Sequence, residues 1–237
     1  MSPISTAFDG GCAHCAGQQL CMLGRLDEAQ RRRWAGLVTE RSVRKGELLL
    51  QQGHIASHVF KIVKTGTVVL LRSGEDGVER PVGLSGPGQP LGTTALLDHP
   101  APLSCRALTA GRICEVPIAC ATRHGLLADP GFLRGLAQCY AQTNARIADW
   151  ARIVRIKGVQ GQLAATLLEL AQLQRSTLVR LPSHQLLADL LSTSRETIAR
   201  TLGLLHARGG VVRRDRWHCE VQRDALMGWV AASAPLP

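Results

Sequence analysis

The segment from residue 130 to residue 157 limits most strongly how this chain can fold. Its candidate packing positions recur at alternating steps of four and three residues, which is the spacing of the a and d positions of a coiled coil. A helix of about seven turns with such a seam needs a partner helix. The length of the seam and its polar Asn144 favour a parallel homodimer, and packing on the helix's own domain is the alternative. The seam positions are Leu133, Ala137, Tyr140, Asn144, Ile147, Ala151 and Val154.

Short apolar runs before this helix predict strands. They lie at residues 48–50, 59–63, 67–71 and 112–116, and glycines and prolines separate them. Many short strands between glycine-rich turns are typical of a small antiparallel barrel, and the pattern favours a jelly roll. Residues 25–37, ahead of the strands, have a helical pattern.

The residues after the long helix predict a helix-turn-helix. A helix at 162–175 and a strand at 178–181 precede two helices, at 184–191 and 195–205, joined by a turn. The amino-terminal end of the second helix is where a recognition helix meets base edges. The residues expected to contact DNA there are Ser194, Arg195, Glu196, Ala199 and Arg200.

Two further features belong to this C-terminal region. Thr193 and Glu196 match a capping box, so Glu196 has a structural role open to it beside base contact. Residues 209–221 alternate about a charged tip and predict the wing of a winged helix. Its Arg213 and Arg214 are expected to hold DNA phosphates.

Together these patterns predict an α+β protein. It has an N-terminal antiparallel β jelly-roll barrel, a long dimerisation helix and a C-terminal winged helix-turn-helix. The predicted boundaries are residues 1–24 for an N-terminal cysteine arm, 25–129 for the barrel, 130–157 for the helix and 158–237 for the DNA-binding domain.

Composition narrows the function classes. Lys and Arg number 28 against 18 Asp and Glu, and the net charge of +10 favours a polyanionic partner, most simply double-stranded DNA. No secretory signal pattern begins the sequence and no apolar run approaches the ~20 residues of a membrane span. We therefore expect a cytoplasmic protein with reduced thiols and no membrane role. No arrangement of residues argues for catalysis, so an enzyme is not expected.

Three cysteines stand close together near the start of the chain. Cys12, Cys15 and Cys21 have the spacing C-x2-C-x5-C. Thiolates held this close repel one another, so the grouping makes physical sense mainly when a cation or cluster binds them. The pattern predicts most of a metal site and leaves the fourth ligand to be found.

The combination of barrel, long helix and winged helix-turn-helix resembles the CRP/FNR family of bacterial transcription regulators, whose barrel is of the cyclic-nucleotide-binding type. The cysteines resemble those of its oxygen-sensing FNR branch. That resemblance implies a four-iron four-sulfur (4Fe-4S) cluster on Cys12, Cys15, Cys21 and Cys114, with Cys105 as the competing fourth ligand. It also implies a homodimer that binds DNA and contacts RNA polymerase, with nitric oxide as an alternative signal to oxygen.

Two departures from the family qualify this resemblance. Thr93 stands where the cyclic-AMP-binding members have a ribose-binding Glu, and Leu103 stands where they have a phosphate-binding Arg. Without that cation the cyclic phosphate loses its main charge partner, so no cyclic nucleotide is expected.

The second departure concerns the recognition helix. FNR-branch helices resemble Glu-x-x-Ser-Arg, whereas Ala199 occupies the Ser position here. Arg195, Glu196 and Arg200 are instead similar to the cyclic-AMP receptor branch, whose half-site is TGTGA. The expected half-site therefore leans toward TGTGA, or a hybrid, rather than TTGAT.

Other cofactors and classes remain open at this stage. Four thiolates also suit zinc, which would stabilise the same regulator without sensing oxygen. A haem sensor would use His14 or Tyr140 as an axial ligand, although no local motif supports it. The alternative from another functional class is an iron-sulfur electron-transfer protein. The predicted dimerisation helix and recognition helix argue against it, because electron transfer requires neither.

Overall fold

The computed structural model describes residue 15, residues 17–56 and residues 58–233. Two compact units make up this part of the chain. The described residues up to Ala145 form the first unit, apart from Arg80–Gly83, which belong with Arg146 and the residues after it in the second.

The strands before the long helix form two four-stranded sheets. Their orders are β1-β8-β3-β6 and β2-β7-β4-β5. Strand β8 pairs antiparallel with β1 and β3, and β7 pairs antiparallel with β2 and β4. This order confirms the predicted jelly roll. The strands are β1 (Thr39–Val43), β2 (Leu48–Leu50), β3 (Val59–Thr65), β4 (Val68–Ser73), β5 (Glu79–Ser85), β6 (Pro90–Leu91), β7 (Ser104–Ala107) and β8 (Gly111–Pro117).

The segment ahead of the barrel belongs to the hydrophobic core of the first unit. Its 3₁₀ turns, Gln18–Leu20 and Met22–Arg25, lead to helix α1 (Glu28–Ala35). Asp27 begins α1 with a capping box shared with Gln30, which explains why the helix is shorter than the sequence pattern. The buried core residues that this segment contributes are Met22, Leu23, Leu26 and Trp34.

The long helix α3 spans Pro130–Ile153 and follows the short helix α2 (Ile118–Arg123). It ends before the predicted residue 157, because its last turn tightens: the Arg155 amide donates to the Arg152 carbonyl three residues back, not four. Val154, predicted in the seam, therefore lies one residue past the helix. Asp129 caps the start of α3 by accepting from the Phe132 amide at 2.7 Å.

The second unit is a winged helix-turn-helix, as predicted. Helices α4, α5 and α6 pack around buried leucines, and a three-stranded antiparallel sheet of order β10-β11-β9 joins them. The C-terminal helix α7 was not predicted. Leu226 is its one fully buried side chain, and a single buried residue gives no repeating hydrophobic pattern from which a helix could be recognised. The elements are α4 (Val159–Gln174), β9 (Leu178–Arg180), α5 (His184–Leu190), α6 (Arg195–Ala207), β10 (Val211–Arg213), β11 (His218–Val221) and α7 (Arg223–Ala232).

In the described part of the chain no helix is both long and apolar enough to cross a bilayer.

Candidate functional site

Three cysteines from distant parts of the sequence line one small cavity in the first unit. We call it the cysteine pocket. Cys15 and Cys21 come from the N-terminal segment, whereas Cys114 comes from the middle of β8. Cys12, the remaining predicted ligand, lies outside the described residues. The pocket is lined by Cys15, Gln18, Cys21, Leu23, Gly24, Ile62 and Cys114.

Strand pairing fixes the position of Cys114. Strand β8 lies between β1 and β3, and Cys114 is opposite Glu40 on one side and Ile62 on the other. A central strand cannot shift its register without moving every buried side chain to the other face of the sheet. The thiol of Cys114 is thus held by the barrel, while Cys15 and Cys21 depend on how the segment before them packs.

Close backbone contacts hold that segment in place. A Cβ on Gly24 would lie 1.8 Å from the Gln18 carbonyl oxygen, and a Cβ on Gly88 would lie 2.5 Å from that of Leu20. Only glycine allows such approaches. The Arg31 guanidinium, from α1, also donates to the Leu26 carbonyl at 2.8 Å. The N-terminal segment therefore docks through its backbone as well as its buried side chains.

The cysteine pocket fits a thiolate-bound metal or cluster by its donor set. Sulfur ligands select zinc and iron-sulfur clusters over harder cations, and the surrounding Leu23 and Ile62 limit water. Among the described residues, no three His, Cys, Asp or Glu side chains already lie within metal-holding distance of one another. Binding would therefore require the thiols of Cys15, Cys21 and Cys114 to move closer together, and the assignment of the four ligands stays a prediction.

Cys105, the competing fourth ligand, lies in a different environment. It is on β7, in the other sheet, and it is buried away from the residues that line the cysteine pocket. Burial raises the pKa of the Cys105 thiol to about 12, which keeps the sulfur protonated. The geometry favours Cys114 over Cys105 as the fourth ligand, because only Cys114 lines the pocket together with Cys15 and Cys21.

The long helix α3 has two different faces. Phe132, Cys139 and Ile153 are buried on one of them. The seven predicted seam residues are all exposed in the single chain, and the large apolar ones among them, Leu133, Tyr140, Ile147 and Val154, are 42–50% accessible. A row of exposed apolar side chains along a helix of this length marks an interaction surface.

Near the middle of α3, polar contacts tie the helix to the barrel. The hydroxyls of Thr93 and Tyr140 lie 2.8 Å apart, and Thr143 donates to the Gln89 side-chain oxygen at 2.9 Å. Thr93 is buried and Leu103 is half-buried, and neither a threonine nor a leucine side chain carries a charge.

The N-terminus of α6 differs from the sequence interpretation in one detail. Ser194, rather than Thr193, caps the helix by accepting from the Thr197 amide at 3.1 Å. The proposed capping box of Thr193 and Glu196 is therefore wrong, because Thr193 lies one residue too early. Glu196 is left as an exposed side chain beside Arg195. The residues predicted to contact bases, namely Arg195, Glu196, Ala199 and Arg200, are all exposed, as is Ser194.

The wing hairpin and the starts of α5 and α6 enclose a second cavity, the arginine cleft, of about 430 Å³. Burial, followed by the charges of Arg213 and Arg195, lowers the pKa of His184 in this cleft. Of the nine residues that line the cleft, the sequence interpretation named only Arg195 and Arg213 as DNA contacts, although Arg216 lies within the same charged run as Arg213. The cleft is lined by Leu181, Pro182, Ser183, His184, Gln185, Arg195, Arg213, Arg216 and Trp217.

The two predicted phosphate ligands of the wing lie in different surroundings. Arg213 lines the arginine cleft, whereas Arg214 forms an ion pair with Glu220 and donates to it from Nε at 3.1 Å. Arg216 instead stacks over Trp217, with its guanidinium carbon 4.9 Å from the ring centre. Arg213 and Arg216 are thus better placed than Arg214 to meet an anion in the cleft.

Comparison with known proteins gives two family matches. A cyclic nucleotide-binding domain matches residues 40–121, and a Crp-like helix-turn-helix domain matches residues 161–228. The Cyclic AMP receptor protein of Thermus thermophilus is 30% identical over 192 residues, covering 79% of this chain and 85% of that protein.

Solved structures share the fold. FixK2 from Bradyrhizobium japonicum superposes with a TM-score of 0.69 at 24% identity, covering 83% of this chain and 99% of its own. A transcriptional regulator of the CRP/FNR family from Thermus thermophilus superposes with a TM-score of 0.63 at 22% identity, covering 82% and 100% respectively. At these identities the structural likeness bears on the fold alone.

Proposed function

Because the chain belongs to the CRP/FNR family of DNA-binding transcription regulators, we propose that it responds to oxygen or redox state through an iron-sulfur cluster. The cluster promotes dimerisation and thereby sequence-specific DNA binding. The observation that carries this proposal is the cysteine pocket, which Cys15, Cys21 and Cys114 line together although Cys114 follows Cys21 by 93 positions in the chain.

Cys12, Cys15, Cys21 and Cys114 are the residues that would hold the cluster. When bound, it supplies an oxygen-labile crosslink between the N-terminal segment and β8. The protein side of the switch is the packing that this crosslink stabilises. Met22 and Leu23 directly follow Cys21 and are buried in the core, so fixing Cys21 also fixes the residues that reach α3.

Two glycines of α3 support this route to the dimer helix. A Cβ on Gly135 would lie 3.0 Å from both Cα and the carbonyl oxygen of Met22, and one on Gly131 would lie 3.1 Å from the Arg25 carbonyl oxygen. The N-terminal segment therefore lies directly against the first turns of α3. A coupling of ~2–3 kcal/mol between the cysteine pocket and the helix changes the dimerisation equilibrium constant by roughly 30- to 150-fold, which is enough to regulate.

The dimer itself would form through the exposed seam of α3. Its apolar side chains are exposed in the single chain, and the a and d positions of a second copy of the helix can pack against them and bury them. Dimerisation then sets the spacing of two recognition helices at about one turn of DNA.

DNA recognition rests on the exposed end of α6. Arginine donates in pairs to guanine O6 and N7, and glutamate accepts from cytosine N4. Arg195, Glu196 and Arg200 therefore suit a half-site close to TGTGA. Selection of bound sequences from random DNA tests this, and recovery of TTGAT without a guanine preference would refute it.

Cyclic nucleotide regulation is not part of this proposal. Thr93 hydrogen-bonds to Tyr140 and Leu103 carries no charge, so neither position offers a group that binds ribose or cyclic phosphate. Calorimetry with cyclic AMP is expected to show no binding, and a micromolar affinity would contradict this part of the proposal.

The decisive experiment is anaerobic reconstitution with iron and sulfide, followed by absorption spectra and sizing before and after exposure to air. We expect a visible band that bleaches in air while dimers dissociate. A colourless protein containing one zinc ion per chain would favour the structural zinc alternative. A dimer that stays equally stable after bleaching would remove the switching mechanism.

A further inference from the structure

A group of charged side chains lies on the same face of the sheet as Cys114. In β3, Lys64 lies two residues beyond Ile62, the direct neighbour of Cys114. In β1, Glu40 is directly opposite Cys114, and Arg112 precedes Cys114 by two residues in β8. Alternate residues of a strand share a face, so Arg112 and the Cys114 thiol project to one side of the sheet, as does the directly opposite Glu40. The register shifts between Val63 and Thr65, so alternation does not place Lys64, but its ion pair with Glu40 brings its ammonium group to that side.

The three charged groups form an ion-pair cluster. Lys64 Nζ and Arg112 Nε both contact the Glu40 carboxylate, the latter at 2.8 Å. The Lys64 side chain is only 24% exposed and that of Glu40 only 23%. Two cations share one anion, so the cluster carries a net charge of +1 beside the cysteine pocket.

Lys64 lies close enough to the pocket to respond to its thiols. Burial alone lowers the pKa of Lys64, but the hydrogen bond to Glu40 and the charges of Cys15, Glu40 and Cys114 raise it above its ordinary value. The attraction is mutual. A positive charge at this position therefore attracts the negative charge that a metal or cluster site of thiolates would carry.

We propose that Lys64, held in place by Glu40, compensates the negative charge that collects when the cysteine pocket binds a metal or cluster. Four thiolates repel one another, and a nearby cation lowers the cost of gathering them. This inference builds on the proposed cysteine centre. It assigns Lys64 a positioning and electrostatic role, not that of a ligand, and it holds for zinc as well as for an iron-sulfur cluster.

Lys61 provides a matched control on the same strand. It directly precedes Ile62, so its side chain projects to the face of β3 opposite to that of Ile62 and Cys114. The charged groups that act on its pKa are Glu115 and Arg41, together with the thiol of Cys105. Replacing either lysine removes one charge from β3, but only Lys64 is next to the cysteine pocket.

The test is an anaerobic titration of the full-length apoprotein with Co²⁺, followed by the sulfur-to-cobalt charge-transfer absorption. Lys64→Met is expected to weaken Co²⁺ binding about tenfold, since both charges are partly shielded from water. Lys64→Arg, which keeps the charge, should stay within about twofold of the unmodified protein, and so should Lys61→Met. Circular dichroism and the denaturation midpoint of each apoprotein establish that all variants fold.

Each result separates the two proposals. Equal Co²⁺ affinity in folded Lys64→Met and the unmodified protein would overturn the role of Lys64 and leave the cysteine centre intact. Equal weakening by Lys61→Met would also overturn it, because the effect would not depend on position. Failure of the unmodified protein to bind Co²⁺ through sulfur would refute the cysteine centre itself. After reconstitution, faster bleaching in air of Lys64→Met than of Lys61→Met would extend the inference to the cluster.

Discussion

The cysteine pocket and the recognition helix are built in opposite ways. Cys15 and Cys21 come from an irregular segment, Cys114 comes from a strand far along the chain, and buried side chains bring them together. The predicted base contacts of α6 lie within seven consecutive residues, 194–200, on one exposed helix end.

This difference indicates which changes each region tolerates. The recognition surface needs only a stable helix and a capped end, so substitutions on it should act locally. The cysteine pocket depends on the docking of a whole segment, so it should fail when packing is disturbed at a distance. In the proposed mechanism this division lets the cysteine pocket rearrange while the recognition helix stays folded.

The largest expected effect comes from removing the strand ligand. Cys114→Ser should abolish the visible absorption of the reconstituted protein, because one of four thiolates is lost from the centre. Cys105→Ser is the matched control and should retain the absorption, since the Cys105 thiol lies in the other sheet and stays protonated. Iron and sulfide content per chain measures both variants. Loss of the centre in Cys105→Ser with an unaffected Cys114→Ser would reverse the ligand assignment.

A packing change in α3 should come next. Gly135→Val places a branched side chain against the backbone of Met22 and is expected to destabilise the apoprotein by about 2 kcal/mol through overpacking. Gly203→Val is the control in the recognition helix, where a Cβ meets no atom within 4 Å. It should change the stability by less than about 0.5 kcal/mol.

Chemical denaturation compares the two glycine variants, and sizing of the reconstituted proteins adds a second readout. Equal stability of the two variants would mean that the N-terminal segment does not pack on α3 as described. The cysteine pocket would then depend no more on distant packing than the recognition helix does.

Removal of a base contact should have a smaller and purely local effect. Arg200→Ala is expected to weaken specific DNA binding by about 1–3 kcal/mol and to relax the preference at one base pair. The absorption and the dimer stability should not change. Binding to operator DNA by fluorescence anisotropy, at a fixed salt concentration, measures the loss. A parallel loss of cluster absorption would contradict the independence of the two regions.

The smallest effect is expected at the helix cap. Ser194→Ala removes the acceptor for the Thr197 amide and should destabilise α6 by about 1 kcal/mol. Thr193→Ala is the control, because Thr193 does not cap the helix, and we expect a change within about 0.5 kcal/mol. Thermal unfolding measures both. A larger loss from Thr193→Ala would restore the capping box inferred from the sequence.

Much of the architecture follows from the sequence pattern. The jelly roll was predicted from its apolar runs, and β3, β4 and β8 match those runs closely. Strand β1 was missed because its residues, Thr39–Val43, include charged side chains and only Val43 is buried. The cap at Ser194 was misplaced by one residue, since Thr193 and Ser194 are both good caps and only the backbone decides between them.

By itself, the sequence determined the regular elements and the candidate residues, because hydrophobic periods and helix signals are local properties of the chain. It placed the recognition residues on one helix end and the seam on one helix face. Tertiary structure alone decided which cysteines share a pocket, that Lys64 lies beside them, that Glu220 pairs with Arg214, and that Gly135 lies against Met22. Those relations join residues far apart in the chain or on different strands, and packing and strand register set them.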